Sequence, residues 1–238
     1  MTTDPGALGD TAPVLAMDGP SGSGKGTISR LTAERLGWGL LDSGALYRLV
    51  ALSAARSGVD LEDEGALARL ARDLDATFSM AVDGGERISL GGEEVSREIR
   101  AETCGNDASR VATVAAVREA LLGRQRAYRQ PPGLVADGRD MGTVVFPDAE
   151  VKIFLTASAE ERARRRHKQL MEKGIDVNLS RLFSEVAERD RRDQQRSVAP
   201  LKPAEDAVVV DTTGLEIPEV VERVLSIVRA APSLVLPE

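Results

Sequence analysis

The chain has 238 residues and 42% hydrophobic content but only 3% aromatic residues, so it reads as one sizeable domain whose core is built from Ala, Val, Leu and Ile. A formal net charge of −7 argues against a general nucleic-acid or membrane-surface binder. A single cysteine, Cys104, excludes an intrachain disulfide and argues against a cysteine-based metal site.

Residues 1–12 are small and polar, with Pro and Gly, and read as a flexible tail without the basic start and apolar run of a signal peptide. No apolar run approaches a membrane span. These features lead us to expect a soluble, cytoplasmic, monomeric protein.

Pro13 to Met17 is a short apolar run, a buried strand. It leads into Gly19-Pro20-Ser21-Gly22-Ser23-Gly24-Lys25-Gly26-Thr27. Four glycines in eight residues let the backbone turn with its N–H groups inward, and a helix opens at Lys25, with Ile28, Leu31 and Leu36 at helical spacing. Strand, glycine loop and helix N-terminus form an anion site, because unpaired N–H groups and the helix dipole both favour phosphate. Lys25 reaches the terminal phosphates, and the Thr27 hydroxyl helps to hold a magnesium ion. Gly26 separates the lysine from the hydroxyl residue. That Lys-Gly-Thr ending suits small-nucleotide kinases better than GTPases or motor ATPases.

Leu40-Leu41-Asp42-Ser43-Gly44 reads as a second strand with Asp42 and Ser43 at its C-terminal end, where parallel α/β sheets bind ligands. A helix follows. Between 58 and 108 the alternation breaks. A short helix with Leu67, Leu70 and Leu74 precedes short strands joined by Asp83-Gly84-Gly85 and Gly91-Gly92, an antiparallel meander in an inserted subdomain. A helix through Val117, Leu121 and Leu122 ends near Tyr128.

The parallel core resumes with Leu134–Ala136, Val151–Leu155 and Ala207–Val210. Between them lie a helix begun by a Ser158–Glu161 capping box and another capped by Asn178, with Leu182, Phe183 and Val186 inward. Pro218 opens the last helix, and 231–238 reads as a loose tail. Five parallel strands with helices between them give a doubly wound α/β core, 13–57 plus 109–230, with the antiparallel insertion at 58–108 and an arginine-rich lid at about 158–176.

Residues 160–196 carry 11 Lys and Arg against 8 Asp and Glu, a positive segment in a negative protein. No aromatics are interleaved for base stacking, so an arginine lid over a triphosphate explains it better than an RNA-binding face. His167 within it reads as a solvated residue. On a helix, Arg189, Asp193 and Arg196 share one face, suited to a phosphorylated sugar or to a salt-bridged solvent face. Asp137-Gly138-Arg139-Asp140 follows an apolar strand, where a substrate is read. An Asp there can accept from the cytosine amine, whereas uracil O4 offers it no proton.

Together with Leu40-Leu-Asp42-Ser43-Gly-Ala-Leu-Tyr47-Arg48, Val95–Arg100, Val117-Arg118-Glu119, Asp137–Asp148 and Arg189–Arg196, the phosphate loop resembles that of the bacterial cytidylate kinase family over about 13–230. The sequence departs from the family at Val114-Ala115-Ala116, where a proline is expected, and over Ala101–Asp107.

The resemblance implies transfer of the ATP γ-phosphoryl group to CMP or dCMP with Mg2+. It implies that Gly19–Thr27 binds ATP and that Ser43, Ser109, Arg118, Arg139, Asp140, Arg189, Asp193 and Arg196 bind the monophosphate. Ser109, Arg118 and Asp140 would read the base, Arg139 and Arg189 hold the phosphate, and Asp193 with Arg196 take the sugar side. Lys25, Arg139 and Arg189 would stabilise charge during transfer, and among Arg164, Arg165 and Arg166 the lid residue that reaches the phosphates is open. The acceptor phosphate is already ionised, so no general base is needed. A kinase for another acceptor such as UMP, and a nucleotide switch or RNA binder without turnover, are the competing readings. The last would need an Asn-Lys-x-Asp motif, which the sequence lacks.

Overall fold

A computed structural model describes residues 12–80, 86–172 and 177–232. The stretches read as tails, except Ala12, Ala231 and Pro232, the Asp83-Gly84-Gly85 turn and the last part of the lid segment lie outside them.

Five parallel strands form the central sheet: β1 (Val14–Asp18), β2 (Gly39–Asp42), β6 (Leu134–Gly138), β7 (Val151–Thr156) and β8 (Val208–Asp211), in the order β2-β6-β1-β7-β8. β1 is central and buried on both faces, which is why it reads as an unbroken apolar run. Its side chains alternate. Val14 and Ala16 join the core under α2 (Ser43–Ser57) and α5 (Ala115–Arg126), while Leu15 and Met17 join the core under α1 (Lys25–Leu36) and α8 (Ile217–Arg229). On α8, Val220, Val221, Val224, Leu225 and Val228 are buried, each contributing about 2 kcal/mol of apolar burial.

A second sheet is antiparallel, with β3 (Ala76–Met80), β4 (Glu86–Leu90) and β5 (Glu93–Glu94), and it follows α3 (Glu64–Arg72). The meander is thus present. The sequence reading missed α4 (Glu102–Val111), whose run Glu-Thr-Cys-Gly-Asn-Asp-Ala-Ser has weak helix propensity and whose register is set by packing on α2.

Helix starts follow local chemistry. The Asp42 carboxylate accepts from Ala45 N at 3.0 Å, Asp63 accepts from Ala66 N at 2.9 Å, and Asn178 accepts from Arg181 N at 3.1 Å. The Ser158 hydroxyl accepts from Glu161 N at 3.1 Å at the head of α6 (Ala159–Glu172). α7 (Leu179–Gln195) departs from expectation at two places. Leu182 is buried but Phe183 is 39% exposed, because only one stripe of this helix meets α6 and α4. Arg196 lies past the helix end with φ −55 and ψ 134, so it reaches the same cleft as Arg189 and Asp193 from non-helical backbone.

Candidate active site

The glycine loop joins β1 to α1. A Cβ at Gly19 would sit 2.0 Å from the Leu155 carbonyl oxygen of β7, so no side chain fits there. Gly24, at φ 87, supplies the left-handed residue that starts α1. The N–H groups of the first turn of α1 therefore open toward the loop.

The loop is also held from outside. Arg162 donates to the Ser21 carbonyl at 3.0 Å and to Asp190 at 2.9 Å. Arg165 donates to the Ser23 carbonyl at 3.4 Å and to Thr212 Oγ1 at 3.0 Å, and the Thr212 hydroxyl donates in turn to Ser23 at 3.2 Å. These arginines have structural partners. Arg164 is 68% exposed. Arg166 pairs with Glu102 of α4, and its Nε is buried without a hydrogen-bond partner.

Two cavities meet over this loop. One, of about 260 Å³, is lined by Ser21, Gly22, Gly24, Lys25, Gly26 and Thr27 on one side and by Arg166 and Arg189 on the other. The second, of about 200 Å³, is lined by all eight residues expected at the monophosphate: Ser43, Ser109, Arg118, Arg139, Asp140, Arg189, Asp193 and Arg196. Lys25, Arg48 and Arg189 line both. Of the loop residues, Gly19, Pro20 and Ser23 are buried beneath the surface of the two cavities.

Charge is concentrated where the cavities join. Lys25 Nζ lies 3.7 Å from Asp137 Oδ1. Burial lowers the Lys25 pKa, aided by Arg139, and burial raises that of Asp137. Burial, with Arg139 nearby, pulls the Arg189 pKa down to about 9, and its Nε has no hydrogen-bond partner. A phosphate entering here would give the Arg189 guanidinium, whose Nε lacks a partner, an acceptor beside Lys25.

Deeper in the second cavity, Arg118 and Asp140 form a buried ion pair, and the Arg118 guanidinium carbon lies 5.7 Å from the centre of the Tyr47 ring. Burial raises the Asp140 pKa against the pull of Arg118 and Arg196. Burial acts the same way on Asp193, but Arg139, Arg189 and Arg196 outweigh it and hold its carboxyl below the ordinary value. Asp193 accepts from Arg139 Nε at 3.0 Å and from the Ser109 hydroxyl at 3.3 Å. Ser43 donates its hydroxyl to Gln125 Oε1 at 2.9 Å.

Sequence reasoning gave no role to Arg48, Tyr47, Gln125, Asp18 or the Asp137 side chain. Tyr47 and Arg48 follow Ser43 by about one turn of α2, a spacing that could have flagged them. Gln125 carries no such signal, because it reaches Ser43 across 82 residues of sequence. Among the described residues, no cluster of His, Cys, Asp or Glu could by itself cage a metal, and no helix is long and apolar enough to cross a membrane. Cys104 is buried with its thiol 3.4 Å from the Arg48 carbonyl, as a packed side chain, and His167 lies half-buried on α6.

A family model described as cytidylate kinase matches residues 15–230. The chain is 58% identical over 230 residues to the cytidylate kinase of Shewanella loihica, a match covering 96% of this chain and 100% of that one. It is 63% identical over 214 residues to the cytidylate kinase of Pseudomonas paraeruginosa, covering 90% and 93%. The crystal structure of an uncharacterized protein from Eubacterium ventriosum shares the fold, with a TM-score of 0.52 at 10% identity over 92% of this chain and 98% of that one. With a family model over residues 15–230 and relatives of this identity over nearly its whole length, the chain belongs to the cytidylate kinase family.

Proposed function

We propose that the protein transfers the γ-phosphoryl group of ATP to CMP or dCMP, giving ADP and the corresponding diphosphate. The observation that carries this reading is the meeting of the two cavities at Lys25 and Arg189, with the phosphate loop on one side and the eight candidate acceptor-binding residues on the other. The acceptor phosphate needs no deprotonation, so the protein's task is alignment and charge stabilisation. Lys25 and Arg189 would neutralise charge on the phosphates that meet between the cavities, with Arg139 on the acceptor. Arg118 and Asp140 would read the cytosine edge, and Ser109, Asp193 and Arg196 the base and sugar side.

Arg166 is the lid arginine best suited to the donor phosphates. Arg162 and Arg165 are committed to loop carbonyls and Arg164 is exposed, whereas Arg166 lines the loop cavity with an unpaired Nε. Behind the loop, a mixed groove, with Ile28, Leu215, Ile217 and Val220 on one side and charged residues such as Arg164, Lys168 and Glu172 on the other, offers room for the donor base. We assign residues 58–108 to the acceptor-binding insertion and about 158–176 to the lid, on the remaining kinase core.

The residues present fit a magnesium ion held mainly by phosphates and water. Thr27 lies in the loop cavity, and the Asp137 Oδ1 atom, beside Lys25, is buried without a hydrogen-bond partner. Thr27 and Asp137 would hold it, the latter suited to a bound water. When bound, the ion would supply charge neutralisation on the ATP phosphates.

The test is ADP release with ATP against CMP, dCMP, UMP and AMP. CMP and dCMP are expected to be the preferred acceptors, and activity confined to UMP or AMP would overturn the proposal.

A further inference from the structure

Asp18, the last residue of β1, is buried and takes no part in either cavity. Its side chain follows Val14 and Ala16 in the strand alternation and so points to the face that carries the turn after Asp140. Its Oδ1 accepts from Met141 N at 2.8 Å and its Oδ2 from Gly142 N at 2.9 Å, across 123 and 124 residues of sequence. Those two N–H groups stand at the head of a wide π-type turn, Met141–Val145, in which the Asp140 carbonyl accepts from Val144 at 2.9 Å and Val145 at 3.2 Å and the Met141 carbonyl accepts from Phe146 at 2.7 Å. The first amides of such a turn have no partner within it. Asp18 satisfies both.

We propose that Asp18 is a positioning residue for base recognition: it caps the turn that begins at Asp140 and so fixes where the Asp140 carboxylate meets Arg118. This rests on the reading of Asp140 and Arg118 as the pair that reads cytosine. Asp140 has φ −149 and ψ 27, outside helix and strand geometry, and no side-chain cap of its own holds it there. The two bonds from Asp18 lie on the residues immediately after it. Asp18 also directly precedes Gly19, so one carboxylate ties the start of the phosphate loop to the acceptor-reading turn.

A buried carboxylate is a costly way to finish a turn. Burial pushes the Asp18 pKa up to about 7 against its two N–H partners, and the neighbouring Asp140 and Asp137 carboxylates push the same way. A local breach of this kind at the edge of a substrate cavity is expected where position matters more than stability.

The experiment compares CMP and UMP kinetics in wild type, Asp18→Asn, Asp140→Ala and the double variant. Asn keeps one acceptor and turns an NH2 group toward the second amide. We expect the CMP KM of Asp18→Asn to rise, and its CMP-over-UMP preference to fall, by on the order of ten- to a hundredfold, the scale of a misplacement near 1 Å, with the ATP KM unchanged. In the Asp140→Ala background the same substitution should change neither quantity further.

Unchanged preference in Asp18→Asn, an equal rise in ATP and CMP KM, or an effect that persists in full without Asp140 would each overturn the inference. Asp140→Ala with normal CMP kinetics would overturn the underlying reading instead, and this inference with it. If Asp18→Asn does not fold, hydrogen exchange on the wild-type protein decides. Slow, matched exchange at Met141 and Gly142 that slows further with CMP supports the cap. Fast exchange there beside slow exchange at Val144 and Val145, or exchange indifferent to CMP, overturns it.

Discussion

Arg139, which follows the end of β6, donates its Nε to Asp193 on α7 at 3.0 Å, joining the C-terminal end of an interior strand to the arginine-rich helix pair. The carboxylate is 5% exposed and the guanidinium 17%. The pair sets both groups at the second cavity and favours the ionised form of Asp193. Asp193→Ala is therefore expected to lower kcat/KM for CMP by on the order of a hundredfold, since it frees Arg139 as well as removing a ligand of the sugar side. The ATP KM should hold. Equal losses for every acceptor, together with a fall in Tm, would mark the pair as structural only.

Asp140 is paired with Arg118 in the buried part of that cavity. Asp140→Ala should lower catalytic efficiency for CMP far more than the affinity for ATP, and should narrow the preference for CMP over UMP by about 1–3 kcal/mol. Steady-state kinetics with both acceptors measures it. Unchanged CMP kinetics would remove Asp140 from base recognition.

Lys25 stands where the two cavities join. Lys25→Met should cut kcat by on the order of a hundred- to a thousandfold, the usual loss when one preorganised charge is withdrawn from a transition state. CMP binding, followed by calorimetry without ATP, should remain near wild type. A large loss of CMP binding with normal kcat would reverse the assignment of this side chain.

The arginines of α6 should separate cleanly. Arg166→Ala should raise the ATP KM and lower kcat, whereas Arg164→Ala, removing a side chain that is 68% exposed, should leave both within about twofold, as surface changes usually do. Similar defects in both variants would show that the helix acts through its total charge and not through one placed guanidinium.

Asp18 also carries a prediction about stability. Burial lifts its pKa from 3.8 to about 7. The folded state thus holds this proton more tightly than the unfolded chain. Its contribution is fully present below pH 3.8 and is lost as pH rises through about 7. Urea unfolding between pH 5 and 7 should therefore show stability falling with pH, and the slope should be shallower in Asp18→Asn. Parallel profiles would contradict a raised Asp18 pKa.

The sequence by itself determined the phosphate loop, the strand–helix alternation and the antiparallel break at β3–β5. Each is written locally, as glycines where backbone must turn, apolar runs where strands are buried, and Asp or Asn at helix starts. The eight residues of the second cavity were reached through likeness to a family, and their common location became visible only in three dimensions. Tertiary structure alone decided the partnerships: Ser43 with Gln125, Arg139 with Asp193, Arg166 with Glu102, and Asp18 with the turn after Asp140. α4 was missed because its run has weak helix propensity and is held by packing on α2, and Phe183 failed as a core residue for a related reason. Helical periodicity states which residues share a face, but burial and contact depend on the elements that chain topology brings against that face.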